Sequence, residues 1–179
     1  MNPDIEKILY SDEQIDRICC EIAEKIRKDH TGKDIVFVCL LKGSIMFYAD
    51  LVRKVGLPCQ LDFMAVSSYG SGAVSSGRVN IKKDISCDIS GKDVIIVEDI
   101  LDTGNTLNYI KGYLEEKSPA SVQICTLFDK PARRKKPVSP DYTGAVIDDL
   151  FIVGYGLDYD EKYRYLPYVG VLKPEIYSS

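Results

Sequence analysis

Two apolar runs constrain this chain more than anything else in it: Asp34-Ile-Val-Phe-Val-Cys-Leu-Leu41 and Val94-Ile-Ile-Val97. A strand with one wet face alternates apolar and polar residues. Near-continuous runs of strand length belong to strands covered on both faces. Stretches of helical period separate them. Ile15, Ile18, Ile22 and Ile26 recur at helical spacing behind a capping box of Ser11 and Gln14, and Gly32 supplies a stop. Ile45 to Val55 and Thr106 to Lys117 read as further helices. Leu61 to Ser67, Val79 to Lys83 and Val122 to Phe128 read as strands. The tail alternates short strands (Ala145 to Ile147, Phe151 to Val153, Val169 to Leu172) with turns. Such alternation predicts an α/β fold with a mostly parallel central sheet and helices on both faces. Ligands of such sheets sit beyond the carboxyl ends of the strands, so the loops after Leu41, Val97 and Phe128 are the places for a site.

The length of 179 residues is expected to form a single domain, 1–179, large enough to bury roughly 70% of its unfolded surface without disulfide staples. Lys and Arg number 23 against 27 Asp and Glu, a net charge of −4, which excludes a general nucleic-acid binder. No apolar run reaches a membrane-spanning length and no secretory signal is visible, so cytoplasmic location is the expectation. The six cysteines form no C-x-x-C pair, and Cys39 and Cys125 lie inside apolar runs; reduced buried thiols are expected rather than zinc ligands or disulfides. His30, near a helix C-terminus, is expected at the surface. The run Arg133-Arg-Lys-Lys136 reads as a solvated loop, with a pyrophosphate contact by Arg134 as a second reading. The late tyrosines read as half-buried packing residues or as a subunit interface.

The chemistry concentrates in Val97-Glu-Asp-Ile-Leu-Asp-Thr-Gly-Asn-Thr106. A strand ends, a turn follows and a helix begins. Thr103, Gly104, Asn105 and Thr106 sit where free backbone N–H groups converge, a phosphate cradle to which two threonine hydroxyls add donors. The pattern is neither a nucleoside-triphosphate loop nor a dinucleotide fingerprint. Glu98, Asp99 and Asp102 stand beside the cradle. Carboxylates repel phosphate, so ribose hydroxyls and a magnesium ion are the natural partners for them. Asp102 is closest to the cradle and suited to accept a proton. Acids that merely favour a helix N-terminus would account for Asp102 but not for Glu98 and Asp99, which end a buried strand. A phosphatase of the D-x-D-x-T type fits poorly, because two residues separate Asp99 from Asp102.

This turn resembles the signature of the type I phosphoribosyltransferases. With Leu41-Lys-Gly-Ser44, Ser67-Ser-Tyr-Gly70 and Phe151-Ile-Val-Gly-Tyr-Gly-Leu-Asp158 in the same order, the chain is similar to the family's bacterial hypoxanthine-guanine members. The resemblance implies a small hood formed by the terminal segments. It implies magnesium-dependent transfer of phosphoribosyl from phosphoribosyl pyrophosphate to hypoxanthine or guanine, as in purine salvage. Glu98 and Asp99 would hold the ribose hydroxyls and, with Asp158, the magnesium. Asp102 would take the purine N7 proton, and Thr103 to Thr106 would bind the 5′-phosphate. Lys42, Gly43 and Arg164 would bind pyrophosphate, in a loop where the family often carries a non-proline cis peptide. Lys130 would recognise the 6-oxo group, Phe151 would stack on the base, and Ile152 and Asp158 would complete the purine site. Ser68 and Tyr69 would belong to a flexible lid of about 68–78 that excludes water. A homodimer or homotetramer is the family expectation. Two other functions compete: a sensor that binds the sugar phosphate without turnover, and a transferase for another base. No added nucleic-acid-binding segment supports the first, and Lys130 argues against adenine.

Overall fold

The computed structural model describes residues 2–68 and 79–178. The elements run β1 (Ile5–Tyr10), α1 (Asp12–His30), β2 (Ile35–Leu41), α2 (Ile45–Val55), β3 (Cys59–Ser68), β4 (Val79–Lys83), β5 (Asp93–Leu101), α3 (Asn105–Glu115), β6 (Ser121–Asp129), β7 (Tyr142–Val146), β8 (Ile152–Val153), β9 (Val169–Leu172) and α4 (Pro174–Tyr177). A six-stranded sheet has the order β4-β3-β2-β5-β6-β7. All its pairings are parallel except β3 with β4. The α/β fold with a mostly parallel central sheet expected from the sequence is present, and no described helix is long and apolar enough to cross a membrane.

The central strands are apolar throughout because both faces are covered. Phe37, Cys39, Ile95, Val97, Cys125 and Leu127 point to one face, where Ile15, Ile22 and Ile26 of α1 and Phe47 and Leu51 of α2 pack on them. Val36, Val38, Leu40, Val94, Ile96 and Ile124 point to the other, against Leu107, Ile110 and Leu114 of α3. Alternation at period two thus sends successive residues of one strand into two separate cores. The capping box at Ser11 forms as expected: Gln14 N–H donates to Ser11 Oγ, and Ser11 N–H to Gln14 Oε1 at 2.8 Å.

A second, three-stranded antiparallel sheet β1-β9-β8 joins the two ends of the chain. Its first strand, Ile5–Tyr10, had no counterpart among the strands read from the sequence. Only Ile5 of its six residues is fully buried, so the segment carries no apolar alternation to betray it.

His30 corrects a second expectation. It is buried, not at the surface. The end of α1 lies over the amino ends of β5, β6 and β7. There His30 Nδ1 is 3.0 Å from an Asp93 carboxylate oxygen and Nε2 is 3.2 Å from the Tyr142 hydroxyl. Ser121 Oγ donates to the other Asp93 oxygen at 2.7 Å. This polar cluster closes the end of the sheet opposite the carboxyl edge. All six cysteines are free, with Cys19, Cys39 and Cys125 buried and the others half-buried.

Candidate active site

The site opens where the sheet changes its pairing. β2 pairs with β5 only from Ile35/Asp93 to Cys39/Val97, whereas β5 continues against β6 through Leu101/Asp129. Glu98 and Asp99 are therefore on the strand, near its carboxyl end, as the sequence suggested. The Lys130 N–H extends the pairing, donating to the Leu101 carbonyl at 2.9 Å. Past Val97 the β2 side of β5 is unpaired, and Glu98 and Asp99 stand there, half-buried.

Burial pushes the Glu98 carboxyl well above the usual carboxylate range, and the charge of Asp99 pushes the same way. Asp99 is raised too, by burial, against hydrogen bonding with Glu98, the Ile100 N–H at 2.7 Å and the charge of Arg164. Two acids held this way favour a cation between them and solvent. No group of three or more metal-ligating side chains forms among the described residues. Asp158 is not gathered with Glu98 and Asp99; it pairs with Arg164 at 2.9 Å. A carboxylate pair with open coordination suits magnesium, which takes one or two carboxylates together with substrate oxygens and waters.

The helix start that the sequence placed after this turn is present. Gly104 caps α3 with φ 79, no side chain caps the helix, and no acid occupies its first turn. The ladder begins with Asn108 N–H on the Gly104 carbonyl at 2.9 Å and Asn105 N–H donates to Thr103 Oγ1 at 3.4 Å, so the Thr106 and Leu107 amides are left for an anion. The absence of first-turn acids removes the bland explanation of the acidic cluster. A cavity of about 150 Å³ lies against Glu98, Asp99, Asp102, Thr103, Gly104 and Thr106.

Arg133, Lys135 and Lys136 are exposed, as a solvated run predicts, but Arg134 departs from it. Arg134 turns inward: its guanidinium donates to the Asp102 carbonyl at 3.1 Å, to the Leu101 and Val138 carbonyls, and to the Asp129 carboxylate. The N–H groups of Lys135 and Lys136 both donate to the Thr103 carbonyl. The segment is a clamp under the cradle, and a β-carbon on Gly104 would meet Val138 Cγ1 at 2.6 Å. With all these partners Arg134 serves the turn rather than a ligand.

A second cavity, of about 370 Å³, lies beside the first. Asp102, Lys130, Arg133, Phe151, Ile152 and Asp158 line it, and Ile100 and Asp102 line both. Asp102 Oδ1 is buried and accepts no hydrogen bond among the described residues. Arg133 Nε stands 3.2 Å away, out of hydrogen-bond alignment. Asp102 is thus a carboxylate on the common wall whose Oδ1 is ion-paired with Arg133 but accepts no hydrogen bond. Lys130 is buried, and its Nζ donates to the Leu150 carbonyl. Burial lowers its pKa, and Asp102 and Asp149 resist that shift. Phe151, 38% exposed, stacks on Tyr177 with centroids 4.7 Å apart and meets the edge of Tyr159.

Lys42 and Gly43 follow a cis Leu41–Lys42 peptide at the end of β2. Lys42 Nζ lies 3.2 Å from Glu161, and Arg164 donates to the Gly156 carbonyl at 2.7 Å. Gly156 packs so closely on this loop that a β-carbon there would lie 2.1 Å from the Gly43 carbonyl oxygen. The sequence reading singled out none of Arg133, Gly156, Glu161 and Tyr177 as site residues. Gly156 alone had a signal, as the second glycine of Gly154-Tyr-Gly156. Tyr69 and the rest of 69–78, with most of the expected lid, lie outside the described residues, as does the Ser68 side chain.

Fold and paired cavities define the class, and comparison with known proteins agrees: the phosphoribosyl transferase domain family matches residues 7–160. The hypoxanthine-guanine phosphoribosyltransferase of Streptococcus thermophilus is 49% identical over 179 residues, covering 100% of this chain and 99% of that protein. A hypoxanthine phosphoribosyltransferase crystal structure from Staphylococcus aureus superposes with TM-score 0.95 at 48% identity, covering 98% of this chain and 96% of that one. The Trypanosoma cruzi hypoxanthine phosphoribosyl transferase superposes with TM-score 0.94 at 41% identity, covering 99% and 96%. The chain belongs to the hypoxanthine-guanine phosphoribosyltransferase family.

Proposed function

We propose that this chain transfers the phosphoribosyl group of phosphoribosyl pyrophosphate to hypoxanthine or guanine, giving IMP or GMP and pyrophosphate, with magnesium as cofactor. One observation carries the reading: the Asp102 carboxylate, with an oxygen that accepts no hydrogen bond among the described residues, stands on the wall between a cavity at the start of α3 and one with a lysine donor and an exposed aromatic ring.

In this reading the first turn of α3 anchors the 5′-phosphate through its amides, and Glu98 and Asp99 face the ribose. Phe151 offers a ring face to the purine and Lys130 an ammonium donor to its 6-oxo oxygen. As the bond from the anomeric carbon to pyrophosphate breaks and the bond to purine nitrogen forms, Asp102 takes the N7 proton. Glu98 and Asp99, with Asp158 through water, would hold magnesium, which would supply positive charge against the departing diphosphate. Lys42, Gly43 and Arg164 supply the protein's share of that stabilisation. Lid closure by Ser68, Tyr69 and their neighbours would keep water from the cationic sugar. A homodimer or homotetramer in the cytoplasm is proposed on the family likeness alone, and sedimentation velocity measures the assembly.

The test offers hypoxanthine, guanine, xanthine and adenine separately with phosphoribosyl pyrophosphate and magnesium, and repeats each with Asp102→Asn. The expected result is turnover of 6-oxopurines only, with a roughly 10²–10⁴-fold loss in the variant. Phosphoribosyl pyrophosphate bound without turnover of any base would put the sensor reading in its place.

A further inference from the structure

Lys42 and Arg164, the cations assigned above to pyrophosphate, share a partner in this structure. One oxygen, Glu161 Oε2, lies 3.2 Å from Lys42 Nζ and 3.3 Å from Arg164 Nη2. A single anionic oxygen between two cations has the charge and geometry that a phosphate oxygen would present there. The turn around Glu161 holds it in place. Asp160, Glu161 and Tyr163 have φ of 51, 59 and 74, conformations uncommon outside glycine. The Glu161 N–H donates to Asp158 Oδ2 at 2.9 Å. The contacts with Lys42 and Arg164 hold the Glu161 carboxyl below the usual carboxylate range, so it is charged at neutral pH.

The two cations are not equally committed. Arg164 also pairs with Asp158 at 2.9 Å and donates to Gly156. Among the described residues Lys42 Nζ has Glu161 alone. Both side chains of that pair are about two-thirds exposed, 66% and 64%. The bridge is therefore weak and can open without disturbing the core.

We infer that Glu161 is an internal competitor for the pyrophosphate group: its carboxylate closes the Lys42–Arg164 pair in the free protein, and a diphosphate must displace it to bind. The inference rests on the proposed assignment of Lys42 and Arg164 to pyrophosphate. It makes affinity for the diphosphate lower than the two cations alone would give. After transfer, the returning carboxylate competes with the product and favours its departure.

Inorganic pyrophosphate with magnesium chloride, titrated calorimetrically into the full chain and into Glu161→Gln, tests this, alongside inhibition of turnover by pyrophosphate. The variant should bind pyrophosphate roughly two- to tenfold more tightly, as expected for loss of weak exposed ion pairs. Repeating the substitution in a Lys42→Gln background separates contact from general charge. There the gain from Glu161→Gln should shrink. Equal or weaker binding by Glu161→Gln, or the same gain in both backgrounds, overturns the inference while the transferase reading stands. Wild-type protein that neither binds pyrophosphate nor turns over a 6-oxopurine overturns both.

Discussion

A β-carbon on Gly43 would stand 1.8 Å from Oδ2 of Asp99, so the loop after β2 and the acidic end of β5 touch because residue 43 has no side chain. Gly156 closes on the Gly43 carbonyl in the same way. Glycine at 43 thus sets the distance between the proposed pyrophosphate loop and the proposed ribose acids. Gly43→Ala must displace one or the other by an ångström or more. A displacement of that size in a positioned site costs about 10²-fold in kcat/KM. Steady-state kinetics with phosphoribosyl pyrophosphate measures it, with far-ultraviolet circular dichroism to show that the fold is kept. Activity within twofold of wild type would show that the contact does not position the substrate.

Arg134 makes a different prediction, about stability. Its guanidinium holds three backbone carbonyls and the nearly buried Asp129 carboxylate together. Arg134→Ala leaves that carboxylate and those carbonyls without their donor. Removing one partner of such a pair costs about 3–5 kcal/mol when fully buried; Arg134 is 17% exposed, so the lower end applies. Urea denaturation measures this as a lower midpoint at unchanged slope. Arg134→Lys should recover little, because one ammonium cannot reproduce a fork reaching four acceptors. A midpoint unchanged by Arg134→Ala would mean that these contacts of Arg134 add nothing to stability.

The pH dependence should follow Glu98. Its carboxyl is raised in the folded protein, by burial first and by Asp99 second, from an ordinary value of 4.5. An acid raised on folding contributes stability that is fully present below its unfolded pKa and is lost as pH rises through the folded pKa. Glu98→Gln keeps the shape of the protonated side chain at every pH. It should therefore raise Tm more at about pH 8 than at about pH 5, read by calorimetric scans at matched ionic strength. Magnesium binding to the wild type should release protons and strengthen as pH rises, since the metal replaces the proton that burial retains. An increment in Tm that does not vary with pH would show that Glu98 is ionised throughout.

The sheet was legible because burial on both faces leaves a continuous apolar run, which β2 and the first half of β5 both carry. The hood strand β1 was not, because it is an edge strand with five of its six residues at least partly exposed. The cradle was legible because its residues are consecutive: strand, acids, glycine and helix lie in one stretch. Glu161 and Arg133 were not, since their charges acquire a role only when segments remote in sequence meet, Glu161 at Lys42 and Arg133 at Asp102. His30 was misread for the same reason, its partners Asp93 and Tyr142 being 63 and 112 residues away. Sequence spacing reports what one element does alone. It does not report what three loops do where they converge.

Lys130 carries the last prediction, on base selectivity. Its backbone N–H is fixed on the Leu101 carbonyl at 2.9 Å, which places the residue directly after β6 at the edge of the larger cavity. Its Nζ donates to the Leu150 carbonyl and lies 3.9 Å from Asp149, and burial lowers its pKa. An ammonium has three hydrogens, so donors remain for a ligand after these contacts. Lys130→Gln keeps a donor of similar reach but removes the charge and adds an acceptor. A charge-assisted hydrogen bond contributes about 1.5–3 kcal/mol, so KM for hypoxanthine and guanine should rise roughly 10- to 150-fold. KM for phosphoribosyl pyrophosphate should move little, because the cradle is on the other side of Asp102. The new amide carbonyl can accept from an exocyclic amino group, so turnover of hypoxanthine relative to adenine should fall. Parallel kinetics with the two bases decides it. An equal loss toward both bases and phosphoribosyl pyrophosphate would make Lys130 a structural support of the strand end rather than the group that reads the purine.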